Sequence, residues 1–119
     1  MSKAARSLFV FGIYLILLGL FLLIAPNMLI TFFGLPAASD VWIRVVGMLL
    51  VLLAYYDIQA ARKNSIDFFR WSVVARASVI VFFSVFVILN LVKPVLLLFG
   101  AVDLLAAVWT HLALRKEKT

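Results

Sequence analysis

The stretch SLFVFGIYLILLGLFLLIAPNMLITFFGLPAAS, residues 7–39, runs for 33 residues without a formal charge. A helix rises ~1.5 Å per residue and a bilayer core needs ~20 apolar residues, so this run is longer than one crossing requires. Pro26 and Asn27 supply the natural end, which sets a first span at 7–25. Lys3 and Arg6 ahead of it resemble the start of a signal peptide. No small-x-small cleavage site precedes Pro26 and further apolar runs follow, so an uncleaved anchor is expected. Beyond it, a proline at a helix start, an apolar run with Phe32 and Phe33, and Gly34 as a stop predict a short helix along the outer membrane face. The alternative is a first span that continues through Pro26 with a kink.

Working outward, three more apolar stretches cover 42–61, 68–91 and 94–114, separated by the turn at 62–67 and the Lys93-Pro94 break. The whole 119-residue chain is 67% hydrophobic and 13% charged. A soluble domain of this size still exposes roughly a third of its unfolded surface, and nothing here could cover that surface with polar groups. The expected fold is therefore all-α: one membrane domain, 1–119, built as a left-handed, antiparallel up-down four-helix bundle. Lys3, Arg6, Arg62, Lys63, Arg70, Arg115, Lys116 and Lys118 fall on one side and Lys93 alone on the other. The basic side is the cytoplasmic one. Both termini are thus expected in the cytoplasm, with Trp71 and Trp42 as anchors at opposite interfaces and the protein in an inner, cytoplasmic membrane.

Small residues recur every seven positions: Ala5, Gly12 and Gly19 in the first span, Gly47, Ala54 and Ala61 in the second, and Gly100 and Ala107 in the fourth. That period keeps one stripe facing a neighbour and allows close backbone approach. On the third span Ser72, Arg76, Val79, Phe83 and Asn90 share a face.

Ionisable residues inside a span are costly and mark structural pairs or functional sites. Asp57 and Arg76 lie at similar depth on the second and third spans and lean toward each other, which predicts an ion pair across that hairpin. The alternative is that Arg76 snorkels alone. Arg44 leans outward and is expected to snorkel or to meet Asp40 four residues earlier. Asp103, near mid-bilayer, lacks an obvious partner. It is expected to sit neutral, donating a hydrogen bond to Tyr14, unless it reaches an arginine or carries protons in a transporter. Asn90 is expected to cap or bridge helices within the same polar core. His111 is expected to touch headgroups.

With no cysteine and one histidine, thiolate metal sites, iron–sulfur clusters and disulfides are excluded, and no metal or cofactor is expected. No nucleophile–base pair, phosphate loop or catalytic carboxylate pair can be read, so an enzyme is not expected. The net charge of +6 fits attraction to anionic lipid, and no nucleic-acid partner is expected.

The order Ala25-Pro26, Phe33-Gly34-Leu35-Pro36 and Arg44-Val45-Val46-Gly47 resembles the DoxX-like group of small four-helix bacterial membrane proteins, over about the first half of the chain. The resemblance implies a bacterial four-helix membrane protein and, for one branch, a link to a quinone-reducing oxidoreductase. It supplies no catalytic residue. Three functions stand open: a non-enzymatic accessory or scaffolding subunit, as a homo-oligomer or in a larger membrane complex; a small proton- or ion-coupled transporter using Asp103 and Arg76; and, by the resemblance alone, a quinone- or lipid-binding redox accessory.

Overall fold

The structure, a computed structural model, describes residues 2–34 and 41–118. The described residues form five helices and no strand: α1 Lys3–Ile24, α2 Pro26–Phe32, α3 Trp42–Arg62, α4 Ile66–Ile88 and α5 Leu96–Lys118. Four of them are long and apolar enough to cross a membrane. The short helix between the first two long ones is present, and the continuous kinked span is not. α1 ends at Ala25, whose φ of −137° and ψ of 62° leave the helical region, and Pro26 restarts the chain at the first position of α2.

The ends of the elements follow from local chemistry. The Ser2 hydroxyl accepts from the Ala5 amide at 3.0 Å, so α1 starts four residues earlier than hydropathy suggests. α3 and α4 both end with an asparagine in the left-handed region, Asn64 at φ 52° and Asn90 at φ 61°. In each case the next amide reaches back five residues, Ser65 to the Ala60 carbonyl and Leu91 to the Phe86 carbonyl, which closes the last turn. Asn90 is accordingly an exposed helix terminator and does not belong to the polar core.

Packing does not follow chain order. α1 lies against α3 along most of its length, α5 joins α1 to α4, and α3 and α4 meet only glancingly although three residues separate them. At the end carrying the N-terminus and the 63–65 turn, Ala4, Leu8, Ala61, Phe69 and Ala113 form a closed core. A second cluster around Phe11, Leu15 and Ala54 continues it up the α1–α3 seam.

That seam is held by backbone proximity. A methyl group added at Gly19 would stand 2.7 Å from the Gly47 carbonyl oxygen, and one at Gly47 would stand 2.6 Å from that of Gly19. Gly12 faces Ala54 and Ile58, and Gly100 of α5 receives Ile80 and Phe83 of α4. Ala107 is buried on the same helix. Outward, large apolar side chains stand uncovered on every long helix, among them Leu17 (64% exposed), Val81 (61%) and Leu105 (69%).

Candidate functional site

Because α3 and α4 stand apart, a cleft of about 580 Å³ opens between them, backed by Phe11 and Leu15 of α1 and Asp103 of α5. Bulky side chains of α4, notably Phe82, Phe83 and Phe86, line it, and α4 has no glycine to offer for a backbone contact of the Gly19–Gly47 kind. A smaller chamber of about 240 Å³ lies beside it, bounded by α1, α3 and α5, with Leu29, Ile30 and Phe33 of the α2 region as one wall. Leu15, Leu50, Phe83 and Asp103 line both spaces. The α2 region is fixed over the chamber by an edge-on Phe33–Phe99 contact at 5.0 Å and by Lys93, whose Nζ donates to the Gly34 carbonyl at 2.8 Å.

The polar centre of the cleft is Arg76, 5% exposed. Its Nε donates to the Ser72 carbonyl at 3.2 Å, and its Nη2 donates to the Ser72 hydroxyl at 3.1 Å and to the Thr110 hydroxyl at 2.9 Å. Thr110 and Ser7 are both fully buried and lie 2.6 Å apart, and the Ser7 hydroxyl reaches the Ala4 carbonyl at 2.7 Å. One arrangement of hydrogens satisfies every oxygen. Arg76 donates to Thr110, Thr110 to Ser7, and Ser7 to the α1 backbone. The guanidinium is thereby anchored to three helices, with the Phe11 ring 4.9 Å from its central carbon.

A guanidinium carries five N–H donors, and this one uses the Nε hydrogen and the Nη2 pair. Nη1 is buried without a partner. The expected ion pair with Asp57 does not form: no Arg76–Asp57 contact closes to a salt bridge among the described residues. Asp57 (8% exposed) and Asp103 both line the cleft and feel the Arg76 charge, while Nη1 makes no hydrogen bond. The physical reason is the α3–α4 separation. An ion pair across the hairpin needs those helices in contact, and they are held apart. Tyr14 lines the smaller chamber with Asp103, and the two interact electrostatically without a hydrogen bond between them among the described residues.

Arg44 takes a role that neither expectation anticipated. Its Nη1 donates to the Leu23 and Ile24 carbonyls, the last of α1, and so caps that helix from α3. Asp40 lies outside the described residues. His111 is exposed. The sequence reading missed Ser7 and Thr110 as partners of the arginine. Thr110 is one heptad below Asp103 on α5 and Ser7 one heptad below Tyr14 on α1, and that spacing was the available signal.

The arrangement can bind. A largely apolar cleft presents one buried cationic donor and two carboxylates, the pattern of a few convergent polar groups in an apolar pocket. Among the described residues no cluster of three or more acidic or histidine side chains could hold a metal ion. No family model, curated protein or solved structure matches this chain.

Proposed function

We propose that this chain is a small integral membrane protein that binds a lipophilic, uncharged small molecule in the α3–α4 cleft, with the molecule's polar end against Arg76. The observation that carries the reading is the unused Nη1 of a buried arginine on the wall of a mostly apolar cavity. A buried donor left without an acceptor costs about 1–3 kcal/mol, more when charged, and a carbonyl or hydroxyl oxygen on a ligand recovers that loss. Asp57 and Asp103 flank the single guanidinium, so an anionic end would find no surplus positive charge. An end that both accepts from Arg76 and donates to a carboxylate fits best. A quinone or quinol is one such molecule, and the DoxX-like resemblance points the same way by analogy.

Membrane insertion with both termini cytoplasmic is part of this proposal. Its support is the set of four apolar helices and the gathering of Lys3, Arg6, Arg62, Lys63 and Arg70 at one end of the fold. Placement in a bacterial inner membrane rests on the resemblance. The small-residue stripes, open to packing inside one bundle or between copies, are occupied inside the chain, Gly19 against Gly47. Assembly into a homo-oligomer or larger complex would have to use other faces.

Purification in mild detergent followed by solvent extraction and mass spectrometry tests the binding reading. Wild type is expected to retain a neutral lipophilic molecule, or to bind an added decyl-substituted benzoquinone or fatty alcohol. Arg76→Gln should fold and bind at least tenfold more weakly. Equal retention by both proteins would defeat the proposal. The chain has no cysteine, so single cysteines placed at Lys63 and Lys93 report topology without background. A carrier using Asp103 and Arg76 is the second reading, favoured by the position of Asp103 between two spaces. It requires pH-dependent uptake in proteoliposomes that Asp103→Asn abolishes.

A further inference from the structure

A third cavity, of about 350 Å³, lies away from the cleft, in the groove between the start of α1 and the end of α5. Its walls are Lys3 and Arg6 of α1 and Trp109, Leu112, Ala113 and Lys116 of α5. The α5 residues are spaced 3, 1 and 3 apart and the α1 residues 3 apart, so each helix presents one face to the groove. Lys3, Arg6 and Lys116 all line it. Basic side chains gathered along one groove attract an anion with several acceptor oxygens.

The groove is also graded along the helix axis. Lys3 and Lys116 stand at the end of the bundle, Arg6 and Ala113 one turn in, and Leu112 and Trp109, each about half exposed, lie deeper toward the apolar middle of α5. A free phosphate would use only the outer part. A molecule with an anionic head and apolar chains uses all of it, the head among the cations and the upper chain against Leu112 and the Trp109 ring.

We infer that the α1–α5 groove is a binding site for an anionic phospholipid, its phosphodiester held by Lys3, Arg6 and Lys116 and its first acyl segment lying on Leu112 and Trp109. The inference rests on the membrane insertion proposed above and is independent of what fills the α3–α4 cleft. It differs from general attraction of a basic surface to charged lipid because it assigns one place, with an aromatic reporter inside it.

The test uses the full chain carrying Trp42→Phe and Trp71→Phe, which leaves Trp109 as the sole tryptophan. The protein is reconstituted in vesicles containing phosphatidylglycerol or phosphatidylcholine brominated near the top of the acyl chains. Brominated phosphatidylglycerol should quench Trp109 with at least about tenfold higher apparent affinity, since each basic residue at a membrane surface contributes roughly fivefold. Lys3→Gln with Arg6→Gln should bring the two lipids close to equality, and Lys93→Gln, at the opposite end, should change nothing. Should the double variant fail to fold, Lys3→Gln and Lys116→Gln singly should each lower the preference severalfold. Equal quenching by both lipids in the parent protein overturns the site while leaving insertion standing. A preference that survives the variants, or one that inorganic phosphate abolishes at constant ionic strength, overturns the phospholipid assignment. Absence of quenching by either lipid overturns insertion and the site together.

Discussion

The α1–α3 seam and the α3–α4 seam use the same helix in opposite ways. On one side α3 offers Gly47 and Ala54, and its backbone comes within a methyl's distance of Gly19. On the other it offers Leu50, Leu53 and Asp57 to a helix that answers with Phe68, Phe82, Phe83 and Phe86, and a cleft remains. The first pair is far apart in sequence and the second is joined by a tight turn. Side-chain bulk at the interface, and not proximity along the chain, goes with which helices touch, as expected under the proposed insertion, where lipid would remove the hydrophobic drive for helix association and close packing would take its place.

The sharpest way to break this contrast is to add bulk to each seam. Gly47→Leu brings side-chain atoms into the Gly19 carbonyl and the Leu22–Leu23 backbone, none of which can rotate away. A loss of about 3 kcal/mol or more is expected, read as a collapse of thermal stability in detergent. If Gly47→Leu melts like wild type, the closed seam is not closed.

A smaller loss is expected for Thr110→Val, which keeps the shape but removes the acceptor for Arg76 Nη2 and the partner of Ser7. Stranding a charged donor should cost about 2 kcal/mol. Thr110→Ser should restore most of it, and failure of that rescue would remove the hydroxyl chain as the cause. Arg44→Met should cost about 1 kcal/mol or less, because its cap on α1 is exposed. The loss should appear as earlier fraying of 20–24 in hydrogen exchange, with the termini end unchanged.

The smallest effect on stability is expected where the contrast predicts most tolerance. Val79→Phe adds a ring into the α3–α4 cleft. Melting should move by less than about 0.5 kcal/mol equivalent while binding of a lipophilic probe falls at least tenfold. A large loss of stability would mean that the cleft is packed space.

The five-helix layout was legible because 7–39 exceeds one span and Pro26 and Gly34 bracket the excess. Of the small residues in the heptad, Gly12, Gly19, Gly47 and Gly100 each meet another helix. What could not be read was which helices pair. Matched depth and opposed lean brought Asp57 toward Arg76 on paper, but depth constrains one coordinate and says nothing of the lateral gap between α3 and α4. Ser7 and Thr110 carry no charge and barely disturb hydropathy, so nothing in composition marks them as the anchor of a buried arginine. Asn90 resembled a polar core residue by its place on the Ser72–Arg76–Phe83 face, yet it sits two residues past the end of α4, where a left-handed conformation favours asparagine.

The cleft is bounded at the termini end by Phe68, which packs on the Phe69 core, and on the other side it shares Leu15, Leu50, Phe83 and Asp103 with the space walled by the α2 region. Its mouth is therefore on the flank of the molecule. Under the proposed insertion, a guest arrives by lateral diffusion through the leaflet, and its supply is its mole fraction among lipids, not its concentration in water. Half-saturation expressed in aqueous units should then drift with the amount of lipid or detergent present, while the same titration expressed per lipid should give one constant.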